Sequence, residues 1–391
     1  MDEIKKTPWH SYLKGNLPEG CLYCVKGQKM VIFITGICNR RCFYCPVSEE
    51  KIYQDCSYAN EWNLNLTDKD LNEEQYQILI DEAKLTEAKG AGITGGDPLL
   101  VIKRTEQVVK RLKKEFGPKF HIHAYTSLNN VSEDRLKILF EAGLDEIRFH
   151  PELEDQRFWS RIEIVNKFKW KKGIEIPVIP GYKDKTKVVI SYFADKVDFI
   201  NLNELEISDS SHNQLLQQGF NPKDRQSYAV SGSEELAMEI MEYSKDRYPI
   251  PIHFCTSKLK NGVQLANRIK IRSKNIAYRF DKIDKEGILI RGGIYFKELF
   301  PSFSYREKIR KITEEDRKIM INKLKELKNK IVPEFRIRED DLQIDDYKLR
   351  LITSDKWLRK NANRLKKLNL FCAVVHEYPT KDGIELEVSP L

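Results

Sequence analysis

The feature that most constrains the fold of this chain is the alternation of apolar, β-branched runs with amphipathic helical patterns. The runs have the length and composition of buried strands, and the segments between them repeat apolar residues at helical spacing. The predicted strands are Met30 to Thr35, Ala91 to Thr94, Phe120 to Tyr125, Glu146 to His150, Ile174 to Ile179 and Phe199 to Leu202. The predicted helices are Glu73 to Leu85, Val101 to Phe116, Ser132 to Ala142 and Phe158 to Lys172. This order predicts an α/β fold with a parallel sheet and right-handed crossovers.

Residues that could bind a ligand follow the predicted strands directly. A cysteine-rich loop follows the first strand, Gly95-Gly96-Asp97-Pro98 follows the second, Thr126-Ser127 follows the third, and the fourth ends in Arg148-Phe149-His150. The carboxyl ends of parallel strands meet at one edge of a sheet, and this edge carries the chemistry in barrels of alternating strands and helices. The sequence therefore predicts one site built from these loops.

The loop after the first strand carries three cysteines, Cys38, Cys42 and Cys45, in the spacing C-x3-C-x2-C. Three thiolates can hold one [4Fe–4S] cluster and leave the fourth iron without a protein ligand, whereas a cluster that only carries electrons is normally held by four cysteines. Two other interpretations stay open, a zinc site completed by a fourth ligand and buried thiols without a ligand role.

The cysteine spacing, with an aromatic residue, Tyr44, directly before the last cysteine, resembles the radical S-adenosylmethionine (radical SAM) superfamily. The resemblance implies a partial (β/α)6 barrel in which S-adenosylmethionine chelates the open iron through its amine and carboxylate. One electron from the cluster would then cleave the sulfonium and give a 5'-deoxyadenosyl radical that removes a hydrogen atom from substrate. In this family the aromatic ring at the position of Tyr44 packs near the adenine.

The same resemblance implies cofactor contacts on the other loops. Gly95, Gly96, Asp97 and Pro98 match the family's segment whose backbone and acid approach the amino group of the methionine moiety, although Glu is commoner than Asp there. Thr126, Ser127 and Asn129 could bond the ribose hydroxyls or could cap a helix. Arg148 could pair with the methionine carboxylate, or it could be a solvated or barrel-bridging arginine. Asn203 and Glu204 could contact cofactor or substrate, and His121, His123 and His150 are given no role.

The remaining cysteines offer a second metal site. Cys21 and Cys24 form a C-x2-C pair that could present two sulfurs to one ion, and Cys255 could approach the same region. Cys56 is another contender, and Cys372 fits a core thiol. The alternatives are an auxiliary iron–sulfur cluster, a mononuclear iron or zinc, and thiols with no metal.

Composition predicts the compartment and the class of protein. The chain has 391 residues, 41% of them hydrophobic, which is enough for one large core and a smaller one. It contains no run of eighteen apolar residues, and its first six residues are charged rather than signal-like. We therefore expect a cytoplasmic protein without a membrane partner, whose eight cysteines do not form disulfides.

Charge divides the chain unevenly. Residues 256 to 391 contain 32 Lys and Arg against 20 Asp and Glu, a net of +12, although the whole chain carries only +8. We predict a segment 1–28 with the C-x2-C pair, a barrel over 29–257, and a basic α+β domain over 258–391. Aromatic residues among the basic ones could stack on bases or form this domain's core: Tyr278, Tyr295, Phe296, Phe300, Phe303, Tyr305 and Trp357.

Within the superfamily, the chain resembles uncharacterised proteins related to pyruvate formate-lyase activating enzymes, through the core and through Gln264 and Arg291-Gly292. The resemblance does not imply a substrate. The basic domain favours RNA modification as the leading function. The alternatives are action on a protein, by glycyl-radical activation or residue modification, action on a small metabolite, and a non-catalytic metal-stabilised RNA-binding protein. An enzyme of this kind needs an electron donor such as ferredoxin or flavodoxin.

Overall fold

The computed structural model describes residues 3–66, 72–302 and 304–391. The chain divides into two compact units, Met1–Arg268 and Ile269–Leu391. The first unit thus extends eleven residues past the predicted boundary, because Asn267 donates a hydrogen bond to the Val25 carbonyl (2.8 Å) and Arg268 pairs with Glu61 (2.6 Å). The predicted N-terminal segment is part of the first unit.

The first unit is built around one large sheet. Its strands are β1 (Lys5–Lys6), β2 (Tyr12–Lys14), β3 (Lys29–Thr35), β4 (Tyr58–Ala59), β5 (Trp62–Asn63), β6 (Gly90–Gly95), β7 (His121–Thr126), β8 (Glu146–Phe149), β9 (Lys171–Val178), β10 (Phe199–Glu204) and β11 (Ile252–Cys255). They lie in the order β1-β2-β11-β10-β9-β8-β7-β6-β3-β4-β5. The seven strands from β11 to β3 are parallel, which is one strand more than the six predicted, and short antiparallel strands flank them.

The helices of this unit are α1 (Glu19–Val25), α2 (Glu73–Leu85), α3 (Ile102–Phe116), α4 (Glu133–Ala142), α5 (Ile162–Val165), α6 (Lys183–Phe193), α7 (Ser233–Lys245) and α8 (Ser257–Leu259), and α9 (Ala266–Ile276) crosses into the second unit. A π-helical stretch, Lys260–Leu265, joins α8 to α9. Side-chain caps set two helix starts, since Asn72 and Gln75 form a capping box on α2 and Ser132 caps α4.

The predicted helix over Phe158 to Lys172 is wrong. This region holds a 3-10 turn, Trp159–Arg161, and the single turn of α5, and β9 has already begun at Lys171. The reason is the spacing of Phe168 and Trp170, two residues apart, whose rings pack against each other at 5.4 Å as the chain enters the strand.

The two faces of the parallel sheet differ in polarity. The core face carries fully buried aliphatic residues such as Ile93, Ile122 and Ile176. On the inner face, Arg148 lies beside Tyr125, and Asn201 lies between Glu175 and His253. Helix α1 covers this polar face closely: a Cβ atom on Gly20 would lie 2.6 Å from His123 Nδ1 and 2.7 Å from Arg148 Nη2. No larger residue could occupy that position without moving them.

The second unit is an α+β structure with a six-stranded antiparallel sheet. Its strands are β12 (Lys282–Ile283), β13 (Leu289–Phe296), β14 (Leu342–Asp345), β15 (Arg350–Thr353), β16 (Leu370–Glu377) and β17 (Glu385–Pro390), in the order β14-β15-β13-β16-β17 with β12 beside β13. Its helices are α10 (Tyr305–Lys311), α11 (Glu314–Glu334) and α12 (Asp355–Lys367). Leu324, Leu358 and Leu365 are fully buried in its core.

The aromatic residues of this unit do not form one exposed row. Tyr295 and Tyr305 are buried in the core, and Phe296 and Trp357 pack against it. Tyr278 and Phe300 are exposed, and Phe303 lies outside the described residues. In the part of the chain that the structure describes, no helix has the length and apolar character needed to span a membrane.

Candidate active site

The predicted loops meet around one cavity of about 600 Å³ in the first unit. Its lining includes most of the predicted site residues: Cys38, Cys42, Tyr44, Cys45, Gly95, Gly96, Asp97, Thr126, Ser127, Arg148, Asn203 and Glu204. These residues follow or end β3, β6, β7, β8 and β10, so the cavity lies at the carboxyl ends of the parallel strands. Pro98 is buried behind Asp97, and Asn129 does not line the cavity.

The three loop thiols are suited to bind a cluster. Burial raises the pKa of Cys38 to about 11 and also raises the pKa values of Cys42 and Cys45, so each would be a neutral thiol without a cation to bind. Among residues 3–66, 72–302 and 304–391, no group of three or more His, Cys, Asp or Glu side chains is arranged to hold a single metal ion. A [4Fe–4S] cluster does not require that arrangement, because each thiolate binds a different iron. The donor set therefore fits a cluster.

The cysteine loop is held on several sides by residues between the thiols. The Asn39 side chain donates to Asn130 Oδ1 (2.7 Å), and the buried Arg40 donates to the His150 carbonyl (2.7 Å) and forms an ion pair with Glu152 (2.6 Å). Tyr44 bonds the ring of His150 through its hydroxyl (2.9 Å). Beyond β10, Gln214 and Asn213 bond the carbonyls of Phe43 and Cys45.

The two glycines after β6 allow this loop to approach β3. Gly95 has a φ of +132°, and a Cβ on Gly96 would overlap the Ile37 carbonyl. The Gly96 amide donates to Thr35 (2.7 Å) and the Asp97 amide donates to Ile37 (2.9 Å). The glycines therefore join the second strand's loop to the start of the cysteine loop.

Asp97 organises its neighbours rather than presenting a free carboxylate. Its side chain is buried and accepts hydrogen bonds from the Thr126 hydroxyl (2.6 Å), the Ser127 hydroxyl (2.8 Å) and amide (3.2 Å), Asn130 Nδ2 (2.7 Å) and the Leu99 amide (3.0 Å). Five donors use the acceptor sites of both oxygens. The contacts thus favour a structural role for the carboxylate over the predicted contact with an amino group.

The polar residues after β7 share this role. The hydroxyls of Thr126 and Ser127 both donate their hydrogen to Asp97. Toward a molecule in the cavity, these hydroxyl oxygens can therefore act only as hydrogen-bond acceptors. The backbone carbonyl of Asn129 accepts from Arg161, and Asn129 is not among the residues that line the cavity. Its neighbour Asn130 is the residue that contacts both Asp97 and the cysteine loop, and the sequence analysis did not select it.

Arg148 lines the cavity, and all three nitrogens of its guanidinium have partners. It contacts Glu146 (2.6 Å), Glu175 (2.9 Å), the Tyr125 hydroxyl (3.2 Å) and the Cys21 sulfur (3.5 Å). These partners favour the barrel-bridging interpretation, and the pairing with a methionine carboxylate stays a prediction. Asn203 donates to Glu175 (3.0 Å), and the buried Glu204 accepts from the Ser257 amide (2.8 Å).

The second cysteine set lies at the polar inner face of the sheet. The Cys21 sulfur accepts from Arg148 and from Asn201 (3.6 Å). Burial raises the pKa of Cys24 to about 12, and burial also raises the pKa of Cys255 against the opposing charge of Lys260. The Cys56 thiol donates to the Lys51 carbonyl (3.9 Å), and Cys56 is not among the residues that line the cavity with Cys24. Because the described residues contain no single-ion site, a mononuclear centre here has no structural support, and an auxiliary cluster stays a prediction.

Comparison with known proteins agrees with the cysteine loop and the fold. The model of the Radical SAM superfamily matches residues 32–189. The chain is 38% identical over 405 residues to a protein of Methanocaldococcus jannaschii named as a "putative glycyl-radical enzyme activating enzyme", and the match covers 100% of this chain and 96% of that protein.

Two solved structures of the radical S-adenosylmethionine methyltransferase TsrM from Kitasatospora setae are more distant. One, with tryptophan and a SAM analogue, has a TM-score of 0.37 and 10% identity, over 68% of this chain and 56% of that one. The other, with cobalamin and a [4Fe–4S] cluster, has a TM-score of 0.36 and 10% identity, over 66% and 56%. The family match, and the relative that aligns along the whole chain, show that this chain belongs to the radical SAM superfamily and is an enzyme of that family, which uses a [4Fe–4S] cluster and S-adenosylmethionine.

Proposed function

We propose that this enzyme removes a hydrogen atom from a protein substrate, as a glycyl-radical enzyme activating enzyme does. The observation that carries the proposal is the full-length relative of that name, which aligns with 100% of the chain and therefore also with residues 269–391. The second unit is then part of the shared protein rather than an unrelated addition. RNA, the leading expectation from charge, has no support in the comparisons, and two of the aromatic residues proposed to stack on bases are core residues.

Cys38, Cys42 and Cys45 would hold the cluster in this proposal, facing the cavity of about 600 Å³. When bound, the cluster and S-adenosylmethionine supply the one-electron chemistry that removes a hydrogen atom from the substrate. The chain's own residues position the reacting parts: Asp97 orients Thr126 and Ser127 at the cavity wall. An external one-electron donor such as ferredoxin or flavodoxin is required.

The experiment traces the abstracted hydrogen. Cells of the organism that encodes the chain are grown on [2H2]glycine, and their protein is incubated anaerobically with reconstituted enzyme, dithionite and S-adenosylmethionine. Mass spectrometry of the 5'-deoxyadenosine should show one added deuterium, because the hydrogen would come from a glycine α-carbon. The variant C42A should form no 5'-deoxyadenosine and serves as the control.

A parallel incubation uses deuterated RNA from the same organism. Deuterium from RNA, and none from glycine-labelled protein, would overturn the protein proposal. Deuterium from protein labelled at residues other than glycine would retain a protein substrate and exclude glycyl-radical formation.

A further inference from the structure

One wall of the active-site cavity comes from the π-helical stretch that joins α8 to α9. Gln264 and Leu265 in this stretch line the cavity, as do Lys260 at its start and Arg268 in the first turn of α9. π-Helical turns are rare and often occur at functional sites. The stretch is therefore a candidate part of the substrate site.

The charged side chains of the cavity already have partners. The pairs of the lining Lys and Arg residues are Arg40 with Glu152 (2.6 Å), Arg148 with Glu146 (2.6 Å) and Glu175 (2.9 Å), Lys260 with Glu206 (3.3 Å), Arg268 with Glu61 (2.6 Å), and the buried Lys29 with the ring and carbonyl of His121 (2.6 and 2.8 Å). A charged ligand beside the cofactor would have to break one of these pairs, which leaves a charge without compensation. A neutral polar group therefore suits the cavity better than a phosphate or a carboxylate.

Gln264 differs from these charged residues because its side chain has no partner. In the part of the chain that the structure describes, its amide forms no hydrogen bond, although the residue is half-buried. A carboxamide has N–H donors and a carbonyl acceptor, and a peptide group has one donor and one acceptor. The two groups can thus form a pair of hydrogen bonds. Glycine has no side chain, so its two peptide groups are the only polar groups that it offers to an enzyme.

We propose that Gln264 is a substrate-binding residue that forms hydrogen bonds with an uncharged peptide group next to the reacting glycine. The inference rests on the proposed function, which takes a protein as the substrate. It adds the chemical class of the group that the cavity recognises, a neutral amide, and the residue that recognises it.

The experiment measures the affinity of the reconstituted enzyme for N-acetylglycine N-methylamide, a probe in which two peptide groups flank one glycine. S-adenosylmethionine is present and reductant is left out, and ligand-detected NMR gives the dissociation constant. Q264A should weaken binding roughly 2- to 12-fold, the range expected for one net hydrogen bond. Q264E keeps the length of the side chain but replaces its donors with a charged acceptor, so it should also weaken binding. The control Q217A, at an exposed glutamine that does not line the cavity, should bind like the wild type.

A charged probe tests the preference for a neutral group. N-acetylglycinate, in which a carboxylate replaces the second peptide group, should bind the wild type more weakly than the neutral probe. Equal affinity of Q264A and the wild type, tighter binding of the anion, or no binding of the neutral probe to the wild type would each overturn the inference. Alanine favours helix, so Q264A should fold and give this answer. The proposed function fails separately, if the deuterium in 5'-deoxyadenosine comes from RNA.

Discussion

The saturated carboxylate of Asp97 gives a prediction that separates two roles for the segment after β6. In D97N, Oδ1 can still accept from Leu99 and Thr126, but an NH2 group replaces Oδ2, which accepts from Ser127 twice and from Asn130. The Ser127 hydroxyl can rotate away, which leaves about two buried donors without acceptors. Each costs about 1–3 kcal/mol, so D97N should lower the free energy of unfolding by roughly 2–6 kcal/mol.

The assay is urea denaturation of the full-length apoprotein, followed by tryptophan fluorescence. Four of the five tryptophans, Trp9, Trp62, Trp159 and Trp170, belong to the first unit, so the signal mainly reports the unit that contains Asp97. The control is D195N, at an exposed carboxylate that pairs with the neighbouring Lys196, which should change the free energy by less than about 0.5 kcal/mol. If D97N folded as stably as D195N and lost only affinity for S-adenosylmethionine, the carboxylate would be a cofactor ligand and the reasoning would be refuted.

Three other measurements test the remaining assignments. Alanine at Cys38, Cys42 and Cys45 should remove the cluster's four irons and its absorbance near about 420 nm, whereas C372A, at a buried core thiol, should keep them. If an auxiliary cluster exists at Cys21 and Cys24, C21A/C24A should lower the iron content while 5'-deoxyadenosine still forms; unchanged metal content would leave Cys21 as a partner of Arg148 alone. In the second unit, E377Q should cost about 3–5 kcal/mol by removing the buried negative charge that pairs with Arg350, Lys348 and Arg291, and the exposed E387Q should cost little. Burial raises the pKa of Glu377, but Arg350, Lys348 and Arg291 outweigh burial and hold this pKa at about 2. The stability that the ionised Glu377 contributes to the fold is therefore fully present above the unfolded pKa of about 4.3, and it should be lost as the pH falls toward 2.

The elements that the sequence predicts best are those whose own residues determine them. The six predicted strands of the barrel are apolar, β-branched runs, and this local pattern is enough to predict a buried strand. All six are present with small shifts at their ends. For the cysteine loop, the spacing of the three cysteines predicts a cluster-binding site. By contrast, β1, β4 and β5 have two residues each and form only by pairing with other strands, so no local sequence pattern predicts them.

Site contacts are hardest to predict where the partner is distant in the chain. Arg148 has the position expected of a carboxylate ligand, but its partners Cys21 and Glu175 lie 127 and 27 residues away. Asn130, not Asn129, contacts the cysteine loop, because a 3-10 turn at Leu128–Asn130 decides which side chain faces it. The position of His150 directly after a strand was a usable signal, but its bond to Tyr44 follows only from the fold.

The short strands at the two ends of the large sheet bear on how copies of this protein behave in concentrated solution. A sheet of eleven strands that ended in long apolar strands would offer unpaired backbone groups to another copy and invite intermolecular β-pairing. Here the outermost strand on one side is Lys5–Lys6, both residues exposed, and on the other side Trp62–Asn63. Two residues provide too few hydrogen bonds for a second chain to extend the sheet, and paired lysine charges repel an identical edge. The large open sheet is thus protected at both ends against aggregation through its strands.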